Sequence, residues 1–261
     1  MLDRLRRAHG RVSAAGEERT PQTPPPYDTS LLERADPADR AIIERCLTVS
    51  TTGVPRLQAL VDAVRYVVSR DIPGAFAECG VWRGGSVLAM VLTLQDVGSA
   101  DRHIWLYDTF EGMTEPTEQD VSAYEPPALG TWQEAQGSGE RAWAAFFDPS
   151  DVGEAAVSDR VLATGYPSEL VHIVKGGVED TIPGQTPDQI ALLRLDTDWY
   201  ESTRHELVHL YPRIATNGVL IIDDYGHWEG ARRAVDEYFE AHPPTPLLQR
   251  TDYSGRMAVK A

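Results

Sequence analysis

Five short runs rich in Val, Ile and Leu constrain this chain more than any other feature. They occupy residues 75–79, 103–109, 171–175, 190–197 and 218–224. Helical patterns run from Ser86 to about Leu94, over about 200–213 and over 229–241. Runs that are apolar throughout, without alternation, fit strands covered on both faces, and crossover helices supply that cover. The pattern predicts an α/β fold with a mostly parallel sheet. Residues 247–249 and 256–260 predict a closing hairpin.

Upstream, Leu31, Leu32, Ala35, Ala38, Ile42, Ile43 and Cys46 recur at helical spacing and predict two short helices divided at Asp36-Pro37. Residues 55–69 predict a third, with Leu57, Leu60, Val61, Val64, Val67 and Val68 on one face. The expected organisation is a flexible arm (1–30, with Pro21 and Pro24 to Pro26), N-terminal helices making lid or oligomer contacts (31–70) and a core (71–261). Residues 110–165 break the alternation and carry Trp132, Trp143, Phe146 and Phe147. They are expected to form a lid or binding loop, the alternative being a helical insertion that only packs on the core.

The net charge of −16, with no dense basic stretch beyond residues 4–11, argues against a nucleic-acid partner. No run of about 18 apolar residues exists, which argues against a membrane span. The basic start is not followed by an apolar segment, and two cysteines make no disulfide framework, so the cytoplasm is expected.

The first strand run opens into Glu78-Cys79-Gly80-Val81-Trp82-Arg83-Gly84-Gly85-Ser86. Glycines let the backbone approach a ligand, and the helix that follows offers free N–H groups. The spacing E-x-G-x-x-x-G-x-S lacks the glycines of the dinucleotide pattern. Asp108 ends the second run, where an acid can accept both ribose hydroxyls of an adenosyl group or else cap a turn. Asp196 and Asp198 follow the fourth run, and Asp223 and Asp224 close the fifth. Three such carboxylates converging at strand ends would repel unless they share a cation, and hard oxygen donors suit Mg²⁺ or Mn²⁺ over zinc. Asp198 could instead cap the next helix, and one of Asp223 and Asp224 could face solvent. His227 is a further candidate base, or a cap.

Taken together, Glu78 to Ser86, Tyr107 to Gly112, Glu179 to Pro183, Leu193 to Tyr200, Tyr211 to Arg213 and Gly218 to Tyr225 resemble the macrocin O-methyltransferase family, over roughly residues 50–241. That resemblance implies a class I S-adenosylmethionine methyltransferase sheet of seven strands, the last antiparallel, and methylation of a deoxysugar hydroxyl on an antibiotic. The more distant catechol O-methyltransferase group is similar at the same places. It implies cofactor contacts at Glu78, Gly80, Gly84, Ser86 and Asp108, adenine contacts at Val178 and Glu179, and metal ligands at Asp196, Asp223 and Asp224. Val81 and Trp82 fall inside the same loop. That group's lysine base is replaced here by Asp198-Trp199-Tyr200, so Asp196 and then Asp198 become the expected bases. A phenolic acceptor is the alternative to a sugar. The expected partners are a small-molecule glycoside and further copies of the chain.

Overall fold

The computed structural model describes residues 22–25 and 29–261. Most of the expected arm, 1–21 and 26–28, lies outside them.

Each apolar run is a strand: β1 Ala75–Cys79, β2 Ile104–Asp108, β3 Val171–Lys175, β4 Ile190–Leu195 and β5 Ile214–Ile222. The tail supplies β6 Gln249–Arg250 and β7 Arg256–Val259. The sheet order is β3-β2-β1-β4-β5-β7-β6. Strands β1 to β5 are parallel, and β7 runs antiparallel between β5 and β6. This is the expected fold class. β5 begins four residues before the expected start, because Asn217-Gly218 reads as a turn. The strand absorbs it as an irregularity, with Asn217 at φ +66° and a register shift against β4.

Helices α1 Ser30–Arg34, α2 Pro37–Leu47, α3 Val54–Ser69 and α4 Gly85–Asp96 share one core with the first face of the sheet, including Phe76, Ile104, Leu106, Leu192 and Ile221. Asp36 caps α2 by accepting from Ala38 N at 2.9 Å, and Pro37 fits its first turn. The apolar stripe of α3 is wholly buried at Leu57, Val61, Val64 and Val67. Truncating one such leucine to alanine costs about 2–5 kcal/mol. The other face carries Ala77, Cys79, Tyr107, Leu193, Leu195 and Ile222. It packs against α9 Tyr200–Leu210 and α10 Glu229–Ala241, through Leu207, Leu210, Val235 and Phe239.

Residues 110–165 hold three α-helices, α5 Ala128–Ser138, α6 Pro149–Val152 and α7 Glu154–Leu162, joined by irregular chain. The insertion packs on the core through Val157 and Val161 and also lines the main cavity through Met113, Trp143, Phe146 and Phe147. One segment thus packs on the core and lines the cavity. No helix among the described residues is long and apolar enough to cross a membrane.

Candidate active site

In open parallel sheets the crevice lies beyond the carboxyl ends of the strands, where the strand order reverses. Here that point is between β1 and β4. A cavity of about 410 Å³ opens there, lined by the strand ends, the insertion, Thr51 from the loop before α3 and Arg56 from α3.

On one side lies the glycine loop. Gly80 has φ +82°, and a Cβ there would overlap the Asp196 carbonyl oxygen, so only glycine lets the ends of β1 and β4 meet. Gly80, Trp82, Asp108, Val178 and Glu179 line the cavity, the last two from α8 Val178–Thr181. Glu78, Val81, Gly84 and Ser86 do not: Gly84 turns the chain into α4 at φ +79°, and Ser86 is buried in its first turn. Asp108 uses its carboxylate on the chain itself. Oδ2 accepts from Val81 N at 2.7 Å and Trp82 N at 2.9 Å, and Oδ1 accepts from Phe110 N at 2.7 Å. Burial pushes Asp108 upward against these bonds. The turn-capping alternative is therefore realised, at the edge of the cavity.

The loop is also fastened to the insertion. Trp82 Nε1 donates to the Phe146 carbonyl at 2.7 Å, Arg160 donates to the Arg83 carbonyl at 2.7 Å, and Arg83 pairs with Asp151 at 2.8 Å.

On the other side are the acids. β5 ends at Ile222, and Asp223 and Asp224 just past it are both buried, 3% and 7% exposed, so neither faces solvent; the Asp223 N–H still donates to the Leu195 carbonyl at 2.9 Å. Asp196, Asp223 and Asp224 each bring one oxygen within 4.8 Å of the others. Asp223 is held by two guanidiniums, Arg194 at 2.5 Å and Arg56, and together they keep it below the ordinary carboxylate range despite burial. Burial pushes Asp196 up to about 6, the Asp223 charge adding to it against the pull of Arg194. Burial and then the Asp196 charge push Asp198 up to about 7, and Asp224 is raised well above its ordinary value by burial and Asp198. The acids thus outnumber the cations facing them. A divalent ion would offset the surplus, and three converging carboxylates are the hard donor set that Mg²⁺ or Mn²⁺ takes. The residues present fit such an ion.

Asp198 does not cap α9. Its backbone sits at φ +66°, a conformation costly for a residue other than glycine, and Trp228 Nε1 donates to Oδ1 at 2.7 Å. The first turn of α9 is capped instead by the fully buried Asp120, which accepts from Tyr200 N at 2.7 Å and from Thr117 N at 2.7 Å. His227 lines the cavity, but its ring stacks on Tyr124 and shares a 2.9 Å hydrogen bond with the Tyr253 hydroxyl. Burial and the nearby Arg56 push it down to about 4.

Arg194, Arg56, Trp228 and Asp120 escaped the sequence reading. Only Arg194 left a visible sign, a charged residue inside the apolar run of β4. The others come from segments whose approach depends on the fold.

The family described as "Macrocin-O-methyltransferase (TylF)" matches residues 12–258. The chain belongs to this family. It is accordingly an S-adenosylmethionine-dependent O-methyltransferase of the kind found in antibiotic biosynthesis. The demethyldecarbamoylnovobiocin O-methyltransferase of Streptomyces niveus is 32% identical over 71% of this chain and 66% of its own length, just under two thirds of that relative. A Streptomyces olivaceus enzyme, the 8-demethyl-8-(2,3-dimethoxy-alpha-L-rhamnosyl)-tetracenomycin-C 4'-O-methyltransferase, is 32% identical over 88% of this chain and 84% of its own length. The solved structure of the O-methyltransferase NovP superposes with a TM-score of 0.69 at 29% identity, covering 81% of this chain and 82% of that one.

Proposed function

We propose that this enzyme methylates a sugar hydroxyl of a glycosylated small molecule, with Mg²⁺ or Mn²⁺ held by Asp196, Asp223 and Asp224. The observation that carries the metal is the convergence of those three carboxylates in the lining of the cavity that Gly80 also lines. The sugar acceptor rests on the Streptomyces olivaceus relative, whose name carries a rhamnosyl group and a 4'-O-methyl transfer. Two buried free thiols, Cys46 and Cys79, are in keeping with a reducing cytoplasm.

A sugar hydroxyl is a weak acid, so its oxygen has to lose a proton as it attacks the sulfonium methyl. Held by Asp196, Asp223 and Asp224, Mg²⁺ would supply Lewis acidity toward that oxygen and a template for aligning it. Asp198 is the proposed base. In support, its carboxylate lines the cavity, is held at one oxygen by Trp228, and has a strained backbone. Asp196, by contrast, gives Oδ2 to Arg194 at 2.6 Å and is the better ligand than base. The proton passes to Asp198 as the new C–O bond forms and the methyl–sulfur bond breaks, which releases S-adenosylhomocysteine. Trp82, Val178 and Glu179 line the adenosyl side, where the Phe146 carbonyl of the insertion accepts from the Trp82 indole.

The aromatic lining of Trp143, Phe146 and Trp199 also suits a planar phenol, which makes a phenolic acceptor the second reading. The test is mass spectrometry of products after incubation with cofactor, Mg²⁺, a panel of antibiotic glycosides and free catechols. Methylated glycosides are expected. Methylation of catechols alone overturns the sugar reading, and full activity after exhaustive chelation overturns the metal.

A further inference from the structure

Arg194 has no part in the proposed chemistry, yet it is the largest fully buried side chain among the described residues, 1% exposed and next to last in β4. The two-residue period of a strand fixes what it meets. Glu78 is its register partner on β1 and Ile221 on β5, so Asp196 and Asp223 each follow two residues further along the same face. The guanidinium reaches all of them. Nη1 donates to Glu78 Oε1 at 2.5 Å and Asp196 Oδ2 at 2.6 Å, and Nη2 donates to Asp223 Oδ1 at 2.5 Å and Thr52 Oγ1 at 3.1 Å. Four acceptors from β1, the ends of β4 and β5, and the loop before α3 are thus gathered on one planar fork.

We propose that Arg194 is a positioning residue that assembles the metal side of the site before an ion arrives and ties it to the cofactor strand. The inference rests on the reading of Asp196, Asp223 and Asp224 as metal ligands. Carboxylates brought this close repel one another, and in low dielectric they would splay without a fixed cation between them. A guanidinium does this where an ammonium would not, because its rigid fork bonds several acceptors in one plane. Outer partners that orient metal ligands in this way commonly set metal affinity. The same geometry reassigns Glu78. It is buried behind the loop, away from the cavity, as a counter-ion of Arg194 and not as a cofactor ligand.

The test is calorimetric titration of the full chain with Mn²⁺ and, separately, with S-adenosylhomocysteine, with thermal melts run alongside. Arg194→Lys keeps the charge and loses the fork. It is expected to weaken Mn²⁺ binding by about tenfold or more while S-adenosylhomocysteine affinity stays within about threefold. Thr52→Val removes one anchor from outside the acid cluster and is expected to weaken Mn²⁺ by about two- to fivefold. Glu78→Gln keeps an acceptor for Arg194 and is expected to leave S-adenosylhomocysteine binding within about threefold. Folded Arg194→Lys protein with wild-type Mn²⁺ affinity overturns the proposal, and if that variant does not fold, unchanged Mn²⁺ affinity in Thr52→Val does so. Loss of S-adenosylhomocysteine binding in Glu78→Gln, with Mn²⁺ binding intact, overturns the reassignment of Glu78 and its tie to the cofactor strand. Wild-type protein that binds S-adenosylhomocysteine but not Mn²⁺ removes the metal reading as well. Wild-type protein that binds both, with insensitive variants, removes this inference alone.

Discussion

The two sides of the cavity hold buried negative charge by different means. On the glycine-loop side, Asp108 is satisfied by the backbone N–H groups of Val81, Trp82 and Phe110. On the acid side, Asp196 and Asp223 are satisfied by the guanidiniums of Arg194 and Arg56, and Asp198 by the Trp228 indole. The first arrangement depends on the exact path of the chain, so it tolerates little change of shape. The second depends on a balance of charge between side chains, so it tolerates little change of charge. Nucleotide-type recognition suits the former, because peptide dipoles are fixed by the fold. Proton and metal chemistry suits the latter, because groups with displaced pKa values are what it requires.

If the sides are this distinct, damage to one should spare binding at the other. The largest effect is expected from Asp198→Asn, which removes the proposed base. Turnover should fall by about 10²–10⁴-fold, with S-adenosylhomocysteine affinity by calorimetry nearly unchanged. Loss of binding together with turnover would break the division. Gly80→Ala strikes a place where the sides touch, since its Cβ would overlap the Asp196 carbonyl oxygen. A destabilisation of about 3 kcal/mol is expected in denaturant unfolding, with both Mn²⁺ and S-adenosylhomocysteine affinity impaired. Asp108→Asn should weaken S-adenosylhomocysteine by about tenfold, since an amide nitrogen then opposes a backbone donor, and should leave Mn²⁺ affinity as it was.

The smallest effect concerns Glu206, fully buried beneath the acid side, where it accepts from the Thr197 hydroxyl at 3.0 Å. Burial pushes its carboxyl well above the ordinary glutamate value. As pH rises, the unfolded chain therefore ionises this group first. Its contribution to stability is complete below the unfolded pKa and is lost above it. Glu206→Gln should raise the melting temperature relative to wild type at pH 8, and the gap should shrink toward pH 4. A gap that does not change with pH would mean that Glu206 is ionised in the fold.

Much of this was legible in the chain before it was folded. The apolar runs marked the first five strands, and the residues just past their ends marked where ligands meet the sheet, because a parallel sheet leaves only its carboxyl edge open. Gly80 and the three aspartates at 196, 223 and 224 could be singled out that way. What a residue does once there was less legible. Asp108 looked placed to bind a ribose, with a turn cap as the alternative, and only the approach of Val81 and Trp82 shows its carboxylate engaged by backbone. Glu78 looked like part of the cofactor loop, but the register of β1 against β4 turns it toward Arg194.

The sequence by itself determined the order of elements, the face each strand residue takes and the placing of acids at strand ends, since these follow from local periodicity and chain direction. Only the tertiary structure decided which charges neutralise which. Arg56 and Asp223 are 167 residues apart, and Arg194 and Glu78 are 116 apart. A period of two states which side of a sheet a residue faces, but not what another strand or helix brings opposite it. The fold makes that choice, and here it set a buried arginine among the acids.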